Sequence, residues 1–152
     1  MRIPPITVAQ RVVTALEAGG FTAAVGGSGL LVALELSDVA NDWDVTVDAD
    51  AHEVGAALER AGLTYRDDTA GGGYATDVRF VVSEAGHEVD VLVGFALRGP
   101  DGVERLPTRV SGHWRGLPLA DPRVWARAYR LLDRPAKAEI LDRWLAENAA
   151  GR

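Results

Sequence analysis

Val25-Gly26-Gly27-Ser28 and Asn41-Asp42-Trp43-Asp44-Val45-Thr46-Val47-Asp48 are the two stretches that decide how this chain is expected to fold. Residues 21–25 are short and apolar, which predicts a buried strand that leads into the glycine turn, and the leucines of residues 30–36 predict a short helix after it. A strand, a glycine turn and a helix in this order place free backbone amides and the positive end of a helix dipole at one point. The turn is therefore suited to bind a phosphate group.

The acidic stretch alternates as a half-buried strand does, with Trp43, Val45 and Val47 on one face and Asp42, Asp44, Thr46 and Asp48 on the other. Because they are two residues apart, Asp42 and Asp44 project from the same face and can share one Mg²⁺ ion, which prefers hard oxygen ligands. Asp48, near the strand end, is expected to be a bystander. For any single aspartate, a solvated strand end or a helix cap is the competing interpretation.

A third acidic strand face is predicted farther along the chain. Residues 78–82 and 87–95 are rich in valine and phenylalanine, and they predict a hairpin joined around Glu84-Ala85-Gly86. In the second arm Glu88 and Asp90 share the polar face. Asp90 would be a third metal ligand, or the base that takes a proton from an acceptor hydroxyl.

The remaining patterns predict helices and loops around a sheet. Helices are expected over 8–16 with a capping box of Thr7 and Gln10, over 52–60 with a cap at Asp50, after Asp121-Pro122 and after Pro135, a loop over 65–76, and a strand over 103–106. The expected fold is α/β (α+β), a single domain over 1–152 with a mixed, mostly antiparallel central sheet flanked by helices. The two C-terminal helices would pack on the sheet or on a partner.

The composition is that of a soluble globular protein, with 47% hydrophobic and 25% charged residues. The sequence has no cysteine, which excludes disulfides and thiolate metal sites. The formal charge of -6 argues against broad nucleic-acid binding, which depends on basic side chains that displace counterions. No stretch predicts a membrane span, and residues 1–5 do not resemble the start of a signal peptide, so a cytoplasmic location is expected.

By itself the glycine turn is a weak motif, because Val32 stands where the dinucleotide fingerprint has its third glycine and no P-loop lysine follows. Together, Val25-Gly26-Gly27-Ser28, Asp42-Trp43-Asp44-Val45 and Glu88-Val89-Asp90-Val91 resemble the signature of the DNA polymerase beta-like nucleotidyltransferase superfamily. The chain looks like a small, minimal member. Asp133-Arg134-Pro135-Ala136-Lys137 is similar to a C-terminal pattern of small members and aminoglycoside-type nucleotidyltransferases.

The resemblance implies a nucleotidyltransferase fold and a magnesium-dependent transfer of a nucleoside monophosphate from a nucleoside triphosphate to a hydroxyl of a small molecule or protein. Carried over residue by residue, it assigns nucleotide contacts to the turn Gly26-Gly27-Ser28, metal ligation to Asp42, Asp44 and Asp90, and the catalytic role to Asp90. Lys137, the only lysine, either steadies the triphosphate or the acceptor, or is a solvated helix residue.

Two questions stay open from the sequence. Trp43 is bulky, and it stands between the two aspartates where a small aliphatic residue is commoner. The alternative function is a noncatalytic interaction module with the same fold, such as half of a toxin–antitoxin pair or a regulatory partner. Its tryptophan-bearing C-terminal helices, with Trp125 and Trp144, would then bind a second copy of the chain or another protein.

Overall fold

The computed structural model describes residues 1–69 and 73–149, and in this part of the chain five helices are interspersed with nine strands. The helices are α1 (Ile6–Ala18), α2 (Gly27–Ala33), α3 (Ala51–Arg60), α4 (Pro122–Leu131) and α5 (Pro135–Ala149). The strands are β1 (Ala23–Gly26), β2 (Trp43–Val47), β3 (Thr64–Asp67), β4 (Val78–Glu84), β5 (His87–Val93), β6 (Ala96–Gly99), β7 (Gly102–Arg105), β8 (Val110–Trp114) and β9 (Leu117–Ala120). None of these helices is long and apolar enough to cross a lipid bilayer.

Seven strands form one mixed sheet in the order β3-β4-β5-β2-β1-β9-β8, and β6 and β7 form a separate hairpin. The pairs β2–β5 and β1–β9 are parallel, and the other four neighbouring pairs are antiparallel. The predicted α+β architecture, with a mixed, mostly antiparallel sheet and two C-terminal helices, is confirmed. Because β2 lies between β1 and β5, the acidic strand is at the centre of the sheet.

One face of the sheet packs against α1 and α3. Trp43, Val45 and Val47 are fully buried on this face, in a core shared with the valines of β5 and the apolar stripes of the two helices. The indole N–H of Trp43 donates to the carbonyl of Pro5 at 3.3 Å. Trp43 is therefore directed away from the acidic face, and it does not separate the carboxylates of its strand from a ligand.

The opposite face of the sheet is covered at one end only. There α4 and α5 pack with α2 and the β6–β7 hairpin around a second core that includes Phe95, Trp125 and Tyr129. Phe95 stacks on Trp125 with ring centroids 5.1 Å apart. The uncovered part of this face is a cleft. Trp125 belongs to this core and is 4% exposed, so it is not available for the partner interface that the alternative interpretation places on it.

The predicted capping box at the start of α1 is wrong. The helix begins at Ile6 after Pro5, and no side chain caps it. Thr7 therefore lies within the first turn of the helix. The side chain of Gln10 is used elsewhere, because its amide donates to the carbonyl of Arg115 at 2.8 Å.

The predicted loop over 65–76 is wrong at its start, where β3 pairs antiparallel with β4. The polar sequence of β3 suits its position at the edge of the sheet, but it has no apolar alternation from which a strand could be predicted. Residues 70–72 of that loop lie outside the described residues. The strands β6, β8 and β9 were not predicted; Gly112 and Pro118 are residue types that are depleted in strands.

We expect Gly26→Ala to destabilise the protein, because an added Cβ would overlap the indole ring of Trp125. Overpacking of this kind costs about 1–3 kcal/mol of unfolding free energy, which urea denaturation measures. Gly112→Ala is the matched control, since a Cβ there would meet nothing within 4 Å. The control is not expected to destabilise the protein, because alanine at an unstrained glycine position typically stabilises by about 0.4–1 kcal/mol. Equal stability of the two variants would contradict the packing described.

Candidate active site

Three residues lie side by side across the centre of the sheet, at the edge of the open cleft. Gly26 of β1 is opposite Asp44 of β2, and Asp44 is opposite Asp90 of β5. Residues paired in register on adjacent strands direct their side chains to the same face. The structure thus brings Asp90 next to Asp44.

The glycine turn fits closely between the cleft and the core. Gly27 has φ +59, and a Cβ on it would overlap Oδ2 of Asp44. Only glycine adopts this backbone conformation without a steric penalty and also leaves room for the carboxylate. Gly26 does not line the cleft, because it packs against Trp125. Gly27 and Ser28 are the residues of the turn that face the cleft.

The cleft has a volume of about 560 Å³, which lies in the range of small-molecule binding sites. Apart from Gly26, all the residues that the sequence predicts for the site line it, namely Gly27, Ser28, Asp42, Asp44, Asp90 and Lys137. The structure adds further polar and aromatic side chains to its walls, among them Asn41, Thr69, Tyr74, Arg79, Tyr129 and Arg134.

The acidic end of the cleft holds more negative charge than its neighbours neutralise. Burial, followed by the charges of Asp42 and Asp90, raises the pKa of Asp44 to about 8. Burial also raises the pKa of Asp90, although the positive charge of Arg79 acts in the opposite direction. An excess of carboxylates of this kind is suited to bind a cation.

Arg79 of β4 is in direct contact with the acidic end. Its Nη2 donates to Oδ1 of Asp90 at 3.0 Å, and its Nη1 donates to Oδ2 of Asp68 at 3.0 Å. Arg79 and Asp90 are both partly buried, so their interaction is less screened by water than a surface ion pair.

Another wall of the cleft is cationic and aromatic. Nζ of Lys137 lies 5.4 Å from the ring centroid of Tyr129, within the range of a cation–π interaction. The junction between α4 and α5 is tight, because Asp133 has φ +58 and the N–H of Arg134 donates to the carbonyl of Tyr129 at 2.7 Å. Pro135 then begins α5. This junction places Arg134 and Lys137 beside the cleft.

The acidic end has suitable donors for a divalent metal, but it is not a closed metal site. Within residues 1–69 and 73–149, no three acidic or histidine side chains are gathered so that they could hold an ion. Mg²⁺ prefers carboxylate oxygens and usually completes its coordination with water and substrate phosphates. Asp42 and Asp44 fit that role, whereas one oxygen of Asp90 is already bonded to Arg79.

Sequence reasoning did not assign Arg79 or Tyr129 to the site. The predicted hairpin could have indicated Arg79. When the two strands are paired outward from the turn at Ala85-Gly86, Arg79 lies on the same face of the hairpin as Asp90. Tyr129 follows Trp125 by about one helical turn. Whether that face of the helix borders the cleft depends on how α4 packs on the sheet, which local sequence does not specify.

A scan of the sequence against protein-family models finds no match, and a search of the curated proteins finds none. Among solved structures, a proposed nucleotidyltransferase from Thermotoga maritima superposes with a TM-score of 0.67 at 20% identity, over 93% of this chain and 92% of that chain. The chain has the nucleotidyltransferase fold. The resemblance predicted from the glycine turn and the acidic strands is thus confirmed at the level of the fold.

Two further structures share the nucleotidyltransferase fold. The solution structure of the antibiotic-resistance factor ANT(2'')-Ia matches with a TM-score of 0.60 at 14% identity, over 92% of this chain and 83% of that chain. The crystal structure of ANT(2'')-Ia in complex with adenylyl-2''-tobramycin matches with a TM-score of 0.57 at 14% identity, over 94% and 91%. The similarity extends over nearly the whole chain.

We expect Asp44→Asn to stabilise the metal-free protein more at about pH 9 than at about pH 5. The folded pKa of Asp44, about 8, exceeds its ordinary value of 3.8. Between these values the folded state binds more protons at Asp44 than the unfolded state does, so the free energy of unfolding of the unmodified protein falls as the pH rises. Thermal melts in the presence of a chelator measure the difference.

The matched control for this experiment is Asp38→Asn, which removes an exposed carboxylate. It is expected to change the unfolding free energy by less than about 0.5 kcal/mol at either pH. A stabilisation by Asp44→Asn that is the same at both pH values would show that ionisation of Asp44 does not destabilise the fold.

Proposed function

We propose that the protein is a magnesium-dependent nucleotidyltransferase that transfers a nucleoside monophosphate from a nucleoside triphosphate to a hydroxyl of a small molecule or a protein side chain. The observation that supports this proposal is the row formed by Gly26, Asp44 and Asp90. It places two carboxylates next to the glycine turn, at the edge of a cleft that is large enough for a nucleotide.

In this proposal the triphosphate lies between the glycine turn and the cationic wall. The backbone amides of Gly27 and Ser28 and the hydroxyl of Ser28 donate hydrogen bonds to phosphate oxygens. Lys137 and Arg134 neutralise phosphate charge from the α4–α5 junction.

Asp42 and Asp44 would hold Mg²⁺, with Asp90 completing the site. When bound, the metal supplies charge neutralisation on the phosphates and alignment of the attacking and leaving oxygens. Burial, followed by the charges of Asp42 and Asp90, raises the pKa of Asp44 to about 8, and a bound cation would stabilise the ionised carboxylate.

In the reaction itself, the hydroxyl oxygen of the acceptor bonds to the α-phosphorus. The bond from the α-phosphorus to the oxygen that bridges to the β-phosphorus breaks, and pyrophosphate leaves. Asp90 takes the proton of the hydroxyl, and burial favours this because it raises the pKa of the carboxyl.

The complex of ANT(2'')-Ia with adenylyl-2''-tobramycin supports a small hydroxylated acceptor for this fold, because that compound carries an adenylyl group on tobramycin. The identity between the chains is 14%. The acceptor of this protein is therefore proposed by class, as a molecule with an accessible hydroxyl.

We expect the protein to bind a nucleoside triphosphate saturably in the presence of Mg²⁺, and Asp42→Asn to abolish this binding while the fold is retained. Calorimetric titration measures binding, and circular dichroism reports the fold. Asp48→Asn is the control just beyond the other end of β2, because Asp48 does not line the cleft and instead accepts a hydrogen bond from the N–H of Thr108. If no triphosphate binds to the unmodified protein at millimolar concentration, the proposed function is wrong.

We expect Lys137→Gln to weaken triphosphate binding by about tenfold, the effect of losing a charge-assisted hydrogen bond. Mn²⁺ binding without nucleotide should be unchanged. Arg143→Gln, which removes an exposed charge from the same helix outside the cleft, is the control. Equal triphosphate affinities for both variants would identify Lys137 as a solvated helix residue.

A further inference from the structure

Arg79 bridges an inner and an outer carboxylate. Both ion pairs have lengths of 3.0 Å, but their surroundings differ: the side chain of Asp90 is 16% exposed and that of Asp68 is 51% exposed. The inner pair is therefore less screened by water than the outer pair. The positive charge of Arg79 thus lies against Asp90, which is the third metal ligand in the proposed function.

We propose that Arg79 is a positioning residue that holds Asp90 in the metal-free protein and yields it to a divalent cation when the cation binds. The inference rests on the proposed function, because it takes the cation to bind at Asp42 and Asp44. It goes beyond that function by assigning Arg79 a competing role in loading the site.

The competition follows from geometry and charge. The bond from Arg79 to Oδ1 fixes the orientation of the Asp90 carboxylate, and it occupies an oxygen that a cation beside Asp44 would also attract. A divalent cation next to the same carboxylates repels Arg79. Metal binding therefore weakens the bond between Arg79 and Asp90, and that bond in turn weakens metal binding.

Release of Asp90 need not leave Arg79 without a partner. Nη1 remains bonded to Asp68, which is held in place by the backbone: the N–H of Asp68 donates to the carbonyl of Arg79 at 2.8 Å. The N–H of Arg79 donates in turn to Oγ1 of Thr69 at 3.0 Å. The backbone that carries the outer carboxylate is thus paired with β4 independently of Asp90, and a rotation of the guanidinium would complete the exchange.

The test measures Mn²⁺ binding to chelator-treated protein in the absence of nucleotide. The electron paramagnetic resonance signal of the free ion reports how much Mn²⁺ remains unbound. Arg79→Gln is expected to bind Mn²⁺ at least about fivefold more tightly than the unmodified protein, the factor that corresponds to the loss of one competing ion pair. Arg11→Gln removes the positive charge of an ion pair with Glu84 that lies outside the cleft, and it should leave the affinity unchanged. In an Asp90→Asn background, Arg79→Gln should change the affinity by less than about twofold, because the contested carboxylate is absent.

If Arg79→Gln fails to fold in a thermal melt, Arg79→Lys replaces it. Lysine retains the charge but lacks the fork that spans two carboxylates, so about a twofold tighter Mn²⁺ affinity is expected and an unchanged one contradicts the proposal. The competition is contradicted if Arg79→Gln binds Mn²⁺ no more tightly than the unmodified protein. It is also contradicted if Arg79→Gln increases the Mn²⁺ affinity as much in Asp90→Asn as it does when Asp90 is present. Either result leaves the proposed function unaffected. Absence of Mn²⁺ binding to both the unmodified protein and Arg79→Gln overturns both.

Discussion

The close approach of the Gly27 backbone to the carboxylate of Asp44 is the constraint on which the site depends. The contact exists because Gly27 has a left-handed backbone conformation and no side chain. On the preceding residue, Gly26, the indole of Trp125 occupies the space that a Cβ would need. The turn is thus enclosed between the acidic strand and α4. A side chain at either glycine would move the turn relative to the carboxylates.

The two faces of the central strand β2 have different roles: one packs in the hydrophobic core, and the other carries a carboxylate of the candidate site. Trp43, Val45 and Val47 are buried against α1 and α3, and they anchor the strand on one side. The other side presents Asp44, and burial, followed by the charges of Asp42 and Asp90, raises the pKa of its carboxyl to about 8. Functional sites commonly carry such local costs, which the rest of the fold offsets. Here the apolar face of the same strand provides that stability.

Charge is distributed along the cleft in a way that the net charge of the chain does not indicate. The formal charge of -6 is spread over the whole sequence, whereas the cleft has carboxylates at one end and Arg134 and Lys137 at the α4–α5 junction. Arg79 lies against the acidic end. An anionic nucleotide together with a divalent cation would complement this arrangement, because each would meet the opposite charge.

Short-range patterns in the sequence were enough to predict several parts of the molecule. The alternation in β2, the hairpin of β4 and β5, and the helix caps at Asp50 and Asp121 are all present in the structure. These features could be predicted because each rests on residues only a few positions apart. The glycine turn and the acidic strand likewise belonged to segments whose local conformation was predictable.

Which of these segments lie next to one another depends on the tertiary structure. The parallel pairing of β2 with β5 sets Asp90 beside Asp44, and the packing of α4 on the sheet brings Tyr129 to the cleft. Strand order and helix packing arise from contacts between distant parts of the chain, and no local pattern specifies them. For that reason the sequence predicted the carboxylates and the turn, but not the bond that Arg79 makes to Asp90.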